Sequence, residues 1–257
     1  MSILPTKNYW KSLYILTEAA IFTQHKNSFL GSAWGIVQPF VHIVIISYVF
    51  SFLLNQPTEI FVKNLVASLP LWNFIVNSSS SSARSLTSRS HLLKKVYIKK
   101  DLLPVADVAV HCYTLLYSFF AMYLAAIMFY PANFKINIIL APLCVLPVII
   151  SFIFIALIFA YITPYIMDTP QIVTVALNAV YWTLPIVYPY NLFPEDKRWI
   201  FEINPLFHLI RPMQILVVEG EIPGFMVILK ASIVTILVAI ISKLVVSRIS
   251  RNVIYYL

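Results

Sequence analysis

Residues 84–100, with the sequence RSLTSRSHLLKKVYIKK, form the segment whose charges constrain its environment most strongly. The segment holds six cations and no acid, and it lies between two long apolar stretches. Because hydrocarbon excludes such a density of charge, the segment must lie outside a bilayer, and short cation-rich loops stay on the cytoplasmic side. The apolar residues Leu92, Leu93, Val96 and Tyr97 among the lysines offer a surface to a cytoplasmic protein. The alternative is a solvated segment that only determines topology.

The chain offers little for catalysis or nucleotide binding. It has four glycines and no G-x-x-x-x-G-K-[ST] sequence, so we expect it not to hydrolyse ATP by itself. Cys112 and Cys144 fall inside predicted spans and do not suggest a metal site. We interpret Asp107 as solvated or paired with a loop lysine, and His111 as a pore-lining or interhelical hydrogen-bonding residue. We therefore expect no catalytic residue, no metal and no cofactor in this chain.

Aromatic side chains supply a second kind of candidate chemistry, which is contact with sugar rings. Tyr48 and Phe52 share one helical face of the first apolar stretch, Tyr113 and Tyr117 share one of the third, and Tyr181 lies in the fifth. The apolar C–H face of a sugar ring can lie against such rings while its hydroxyls stay hydrated. Phenolic hydroxyls are costly against lipid unless they have partners, so we expect these faces to turn inward. The alternative is packing between helices.

The composition indicates an all-α membrane protein with a single transmembrane domain, residues 1–257. Sixty per cent of the residues are hydrophobic, 11% are charged, and the mean hydropathy is +0.85. A first span of 24 residues covers about 36 Å, which is enough to cross a bilayer with tilt. The second span is the weakest, because Lys63, Asn64 and Pro70 interrupt it. The six predicted spans are residues 31–54, 61–82, 102–130, 138–161, 171–190 and 225–246.

The distribution of cations predicts that both termini are cytoplasmic. With six spans, twelve of the eighteen Lys and Arg residues fall on the side of the basic segment. This placement assigns the net charge of +8 to membrane topology and anionic lipid headgroups, so we expect no nucleic-acid partner. Residues 8–24 predict an amphipathic helix at the membrane interface, with one apolar stripe that includes Trp10, Leu13, Tyr14 and Ile21.

The connection formed by residues 191–224 is long and alternates polar clusters with apolar runs. Pro194, Pro205 and Pro212 interrupt it, so a continuous helix is not expected. We predict short re-entrant helices that dip into the outer leaflet, which requires protein or water to satisfy the broken backbone. A plain extracellular loop is the alternative.

Several runs of residues, in chain order, resemble those of the transmembrane subunits of bacterial polysaccharide ABC exporters, the O-antigen, capsule and teichoic-acid branch of the type-2 ABC exporters. The similar runs are KNSFLG at 26–31 followed by Trp34 and Pro39, KKVY at 94–97 followed by LLP at 102–104, PIVY at 185–188, and NPL at 204–206 followed by Arg211. The resemblance covers nearly the whole chain. Two departures are Gln24-His25, where the family often has Arg-Tyr, and Ile98-Lys99-Lys100, where it usually has Phe-Pro-Arg.

The resemblance implies a homodimer of six-span subunits in the bacterial inner membrane, above two copies of a separate ABC ATPase that binds ATP and Mg. It further implies export of a polysaccharide carried on an undecaprenyl or phospholipid anchor, with the N-terminal helix beside a lateral opening for the lipid. It assigns ATPase coupling to Leu92, Lys94, Lys95, Val96 and Tyr97. Trp34 joins Tyr48, Phe52, Tyr113, Tyr117 and Tyr181 as a conduit candidate, and an outer gate is expected at Asn204, Pro205 and Arg211.

Two other classes stay open at this point. One is a type-2 ABC exporter of a small molecule or lipid, which shares the six-span plan. The other is an ATP-independent membrane carrier, for which the sequence offers no carboxylate near the centre of a span. The sequence does not distinguish O-antigen from capsule or teichoic acid.

Overall fold

The structure, a computed structural model, describes residues 7–25, 29, 31–95, 98–129 and 139–257. Within these residues the fold is entirely helical, with ten α-helices and no strand. The helices are α1 Lys7–His25, α2 Trp34–Leu54, α3 Thr58–Ser88, α4 Ser90–Lys95, α5 Leu102–Phe129, α6 Ala141–Ile162, α7 Thr169–Thr183, α8 Trp199–Glu202, α9 Pro205–Gln214 and α10 Phe225–Ile249.

Helix α3 is the centre of the bundle. It packs against α2, α5, α6, α7 and α9, and most of its side chains are buried. The helix runs without a break through Lys63, Asn64 and Pro70, so the predicted interruption of the second span is wrong. Its predicted weakness is confirmed, because its hydropathy is the lowest of the five membrane-length helices. Lys63 pairs with Glu59 one turn earlier at 2.5 Å, and Asn64 is buried with hydrogen-bond partners. Lys63 and Asn64 are therefore accommodated by contacts within the protein.

One end of the bundle gathers the start of α5 and the ends of α6 and α10; we call it the basic end. Lys100 donates a hydrogen bond to the Ser250 carbonyl at 2.9 Å, and Tyr161 donates one to the Asp101 carboxylate. Burial lowers the pKa of Lys100, and the adjacent Asp101 carboxylate opposes that shift. The ring of Tyr9 in α1 lies under the Lys99 ammonium, with 5.6 Å between the nitrogen and the ring centroid. Helix α1 and the end of the chain thus lie at the same end.

Five of the helices are long and apolar enough to cross a membrane, namely α2, α3, α5, α6 and α10. The predicted fifth span differs, because α7 ends at Thr183 and has 15 residues. The chain continues through residues 184–188 in a buried, non-helical path, with Leu184 and Ile186 almost fully enclosed. A single helix over 171–190 is therefore wrong, since the chain leaves the helix before Pro185.

Helix α1 has two apolar faces rather than the single predicted stripe. Leu13, Leu16 and Ala20 face α5 and are partly buried. Trp10 and Tyr14, predicted to share a stripe with Leu13, are 59% and 66% exposed on another face. A helix with one apolar face on protein and another unpacked fits the boundary between a bundle and a membrane.

Short helical elements occupy the connection between α7 and α10. They are 3-10 turns at Tyr190–Leu192 and Glu195–Lys197, then α8 and α9, then a π-helical turn at Ile215–Glu219. Asn204 caps α9, because its side-chain oxygen accepts a hydrogen bond from the Leu206 N–H at 3.0 Å, and Pro205 occupies the first helical position. Gly220 ends the π-helical turn with φ at 68°, a left-handed conformation that suits glycine.

Candidate functional site

The basic segment predicted to couple to an ATPase is largely helical rather than a loop. Residues 84–88 continue α3, and α4 follows with exposed Lys94 and Lys95 at its end. Leu92 and Leu93 are partly buried against the protein's own apolar cluster around Leu86 and Leu103, so they offer less surface to a partner than the sequence suggested. Val96 and Tyr97 lie outside the described residues.

The six aromatic residues predicted to line a conduit lie on three helices, α2, α5 and α7. Tyr48 is 58% exposed and its ring lies against Phe129, 6.4 Å between centroids, while Phe52 is 87% exposed and Trp34 at the start of α2 is 50% exposed. Tyr181 packs on Trp72 of α3 with 5.4 Å between centroids.

Tyr113 and Tyr117 are close to each other, one turn apart on α5. Their hydroxyl oxygens are 2.5 Å apart, so the two phenols are hydrogen-bond partners. Each phenol thus has a partner on its own helix, so this pair does not need to turn inward to satisfy its hydroxyls. Tyr117 also packs closely against Gly35 of α2. A larger residue at position 35 would be crowded, because its Cβ would lie 3.0 Å from the Cβ of Tyr117.

The structure reveals a polar surface on α3 that the sequence analysis missed. Between residues 64 and 86, the side chains of α3 that reach the surface are Asn73, Val76, Asn77, Ser80, Ser81 and Arg84. We call Asn73, Asn77, Ser80 and Arg84 the polar stripe. Their spacing of four, seven and eleven residues places them on one helical face, which extends over about 16 Å. This spacing is visible in the sequence and was the signal from which the polar stripe could have been predicted.

Helix α5 extends this hydrophilic surface. A narrow groove between α3 and α5 is lined by both asparagines of the polar stripe and by His111, Thr114 and Ser118. The Thr114 and Ser118 hydroxyls donate to backbone carbonyls of their own helix. Since exposed amide groups are unfavourable in hydrocarbon, the face that carries Asn73 and Asn77 is suited to water or to a polar partner rather than to lipid.

A larger, open depression of about 350 Å³ lies between α1, α3 and α5, toward the basic end, and has both polar and apolar residues in its walls. On one wall Arg89 donates to the Asp107 carboxylate at 2.5 Å, and on another Ser81 and His111 are hydrogen-bonded at 2.9 Å. Asp107 is buried and paired with an arginine, so the expectation of a solvated or lysine-paired carboxylate is wrong. The bond between Ser81 and His111 joins α3 to α5, which agrees with one of the two roles expected for this histidine.

The predicted outer-gate residues lie at the end of the bundle opposite the basic end. Arg211 pairs with Glu219 across the π-helical turn at 2.6 Å, and its guanidinium lies 4.7 Å from the centroid of the Tyr190 ring. Tyr190 stacks on Phe207 of α9 with 5.5 Å between centroids. Arg211 thus ties α9 to the segment after α7, and Asn204 and Pro205 define where α9 begins.

A network of side-chain donors holds the non-helical path after α7. The Asn64 amide donates toward the carbonyls of Pro185, Ile186 and Tyr188 at 3.1, 2.7 and 3.1 Å. Gln214 at the end of α9 donates to the Pro185 carbonyl at 2.7 Å and to the Ser68 hydroxyl at 2.9 Å. Broken backbone at membrane depth requires such donors, and α3 and α9 provide them.

No group of three or more His, Cys, Asp or Glu side chains that could hold a metal occurs among the described residues. The buried polar side chains are spread over several helices, and examples are Ser47 of α2, Ser82 of α3, Ser118 of α5, Ser151 of α6 and Ser242 of α10.

Comparison with known proteins identifies a family. The ABC-2 type transporter family matches residues 11–218. An O-antigen export system permease protein RfbA of Klebsiella pneumoniae is 20% identical over 211 residues, which cover 82% of this chain and 81% of that protein. A protein of the same name from Myxococcus xanthus is 22% identical over 213 residues, covering 82% of each chain.

The family match spans most of the chain, and the fold supplies several membrane-length helices. The protein belongs to the ABC-2 type transporter family and is a multi-pass transmembrane subunit of a type-2 ABC exporter. The family expected from the sequence resemblance is confirmed.

Proposed function

We propose that this chain is the membrane subunit of an ABC exporter that moves a lipid-linked, O-antigen-like polysaccharide across the bacterial inner membrane. The observation that carries the proposal is its similarity, over about four-fifths of each chain, to O-antigen export permeases. The polar stripe on the central helix supports it, because a hydrated glycan needs a hydrophilic path through the bilayer.

In the proposed assembly two copies of the chain enclose the conduit. Each copy crosses the membrane six times: the five membrane-length helices supply five crossings, and α7 together with residues 184–188 supplies the other, fifth in chain order. The polar stripe of each copy faces the conduit, since lipid is an unfavourable neighbour for Asn77 and Arg84. Tyr48, Tyr113, Tyr117 and Tyr181 remain candidates for sugar contact along this path.

The basic end is placed in the cytoplasm, because Lys94, Lys95, Lys99 and Lys100 are concentrated there. Helix α1 then lies at the cytoplasmic membrane surface with Trp10 and Tyr14 toward lipid. The short helices between α7 and α10 face outward and form the outer gate. A separate ATPase binds ATP and Mg beneath the basic end and contacts Lys94 and Lys95.

The proposed function is tested by deleting the gene and locating the polysaccharide. We expect the deletion strain to lose polysaccharide from the cell surface and to accumulate lipid-linked glycan on the cytoplasmic side, with both reversed by the wild-type gene. Immunodetection on intact and on permeabilised cells measures the two pools. Unchanged surface polysaccharide in the deletion strain would show that the proposal is wrong.

Coupling to the ATPase is tested by reversing two exposed charges. We expect Lys94→Glu combined with Lys95→Glu to reduce surface polysaccharide at least fivefold, because the basic end of α4 would then repel its site on the ATPase. Recovery of the ATPase with the purified variant should fall in parallel. Arg248→Glu at the exposed end of α10 is the matched control and should retain both properties. Full recovery of the ATPase with the double variant would place the contact elsewhere.

A further inference from the structure

Arg89 is the single residue between α3 and α4, and its backbone and side chain bind different helices. Its carbonyl accepts hydrogen bonds from the Leu92 and Leu93 N–H groups of α4 at 3.0 and 3.3 Å. Its Nη2 donates to the Asp107 carboxylate of α5 at 2.5 Å. One residue therefore fixes the start of α4 to α5, although α4 follows α3 in the chain.

This connection resists separation because its acidic partner is buried. The Asp107 side chain is 6% exposed, whereas the Arg89 side chain is 33% exposed. Charges shielded from water attract each other more strongly than charges at a surface. A movement of α4 that carried Arg89 away would leave a buried carboxylate without its cation, which is strongly unfavourable. We therefore expect α4 and α5 to move together at this point.

Apolar packing supports the ion pair but does not replace it. Leu92 and Leu93 lie partly buried against the cluster around Leu86 of α3 and Leu103 of α5. Apolar contacts have no preferred direction, so they allow α4 to slide, whereas a hydrogen-bonded ion pair fixes two atoms to each other. The ion pair is thus the contact that determines how a displacement of α4 reaches α5.

The face of α5 that holds Asp107 also forms one wall of the groove beside the polar stripe. His111, Thr114 and Ser118 follow Asp107 by four, seven and eleven residues, so the four side chains lie on one side of the helix. The last three line the groove between α3 and α5. Ser81 of α3 is joined to His111 by one hydrogen bond, which water can replace. A shift of α5 relative to α3 would therefore change the shape of the groove.

We propose that Arg89 is the positioning residue through which displacement of α4 by the ATPase moves α5 and reshapes the polar groove of the conduit. Arg89 touches no substrate and acts through Asp107. This inference rests on the proposed function, because it assumes that an ATPase binds α4 and that a glycan passes the groove.

The test measures ATP hydrolysis and glycan transport in the same vesicles, which contain the exporter with its ATPase on the outside and a fluorescently labelled lipid-linked polysaccharide. The measured quantity is the glycan protected from added glycosidase per ATP hydrolysed. Arg89→Gln combined with Asp107→Asn removes both charges, so no unpaired charge stays in the interior. We expect this variant to hydrolyse ATP within twofold of the wild-type rate and to transport at least tenfold less glycan per ATP.

Two single variants are controls. Arg89→Lys keeps a cation and can donate one hydrogen bond, as Nη2 does, so transport per ATP should stay within threefold of the wild type. Arg248→Gln removes an exposed cation from the end of α10 and should change neither hydrolysis nor transport. If the double variant does not assemble with the ATPase, Asp107→Asn alone decides the question. It removes the buried charge while Arg89 stays partly exposed to water, and it should lower transport per ATP at least threefold.

Wild-type transport per ATP in the double variant would overturn the proposal. A parallel loss of hydrolysis and transport would also overturn it, because a pair that only supports the fold lowers both without changing their ratio. Where the double variant does not assemble, the same two results in Asp107→Asn lead to the same conclusion. The proposed function fails separately, when the wild-type protein with its ATPase protects no glycan.

Discussion

Replacing Asn64 with Leu should remove most of the folded protein from the membrane. The Asn64 amide lies buried in α3 and supplies N–H groups to the carbonyls of Pro185, Ile186 and Tyr188. Leucine has the same branched side-chain skeleton but no donor, so the substitution leaves buried carbonyl groups without partners. Each such group costs about 1–3 kcal/mol, and two N–H groups are lost, so we expect a total of about 2–6 kcal/mol.

A loss of that size approaches the whole stability of many proteins, about 5–15 kcal/mol. The amount of detergent-extracted monodisperse protein and its thermal midpoint measure the effect. Gln214→Leu is the matched control, because Asn64 still donates to Pro185 in that variant. The substitution also deletes the Gln214 Oε1, which has no hydrogen-bond partner among the described residues. We expect Gln214→Leu to be clearly milder. Equal stability of wild type and Asn64→Leu would mean that the path after α7 does not depend on this amide.

Substituting the polar stripe should have the opposite pattern, with the fold retained and export lost. We expect Asn73→Leu combined with Asn77→Leu to reduce surface polysaccharide at least tenfold. Both side chains reach the surface of α3, so leucine at these positions leaves the buried core of the bundle unchanged. Export is lost because an apolar surface is unfavourable for a hydrated glycan. Protein yield and thermal midpoint should match those of the wild type.

The control for this prediction keeps the surface hydrophilic. Asn73→Ser combined with Asn77→Ser shortens both side chains but retains a hydroxyl at each position, so export should stay within about twofold of the wild type. Surface polysaccharide and its chain length, resolved by gel electrophoresis, are the readouts. If the leucine variant exports normally, the stripe is not part of the conduit.

The comparison of Asn64 with Asn77 explains which features the sequence could predict. Both asparagines lie in the same helix and lower its hydropathy equally, yet one is buried among backbone carbonyls and the other is exposed. Local periodicity predicts that Asn77 shares a face with Asn73 and Arg84. It does not predict that a chain segment more than 120 residues later provides acceptors for Asn64, because that contact depends on tertiary packing.

The helix ends also show which features local sequence predicts and which depend on tertiary packing. Apolar length was enough to place the long helices α2, α5, α6 and α10, as the hydrophobicity of membrane spans requires. The early end of α7 at Thr183 was missed, since residues 184–187 are apolar and continue the hydrophobic signal. The pairing of Asp107 with Arg89 was missed because the continuation of α3 to Ser88 brings that arginine, and not a lysine, beside α5.

The central claim is that this chain, together with an ATPase, moves lipid-linked polysaccharide across a membrane. It is tested most directly in vesicles that contain both proteins and a fluorescently labelled lipid-linked polysaccharide, with the ATPase on the outside. The measurement is the fraction of glycan that becomes protected from an added glycosidase. We predict protection that rises with ATP and is lost in the Asn73→Leu, Asn77→Leu variant. Protection that is the same with and without ATP, or the same in vesicles lacking this chain, would contradict the account.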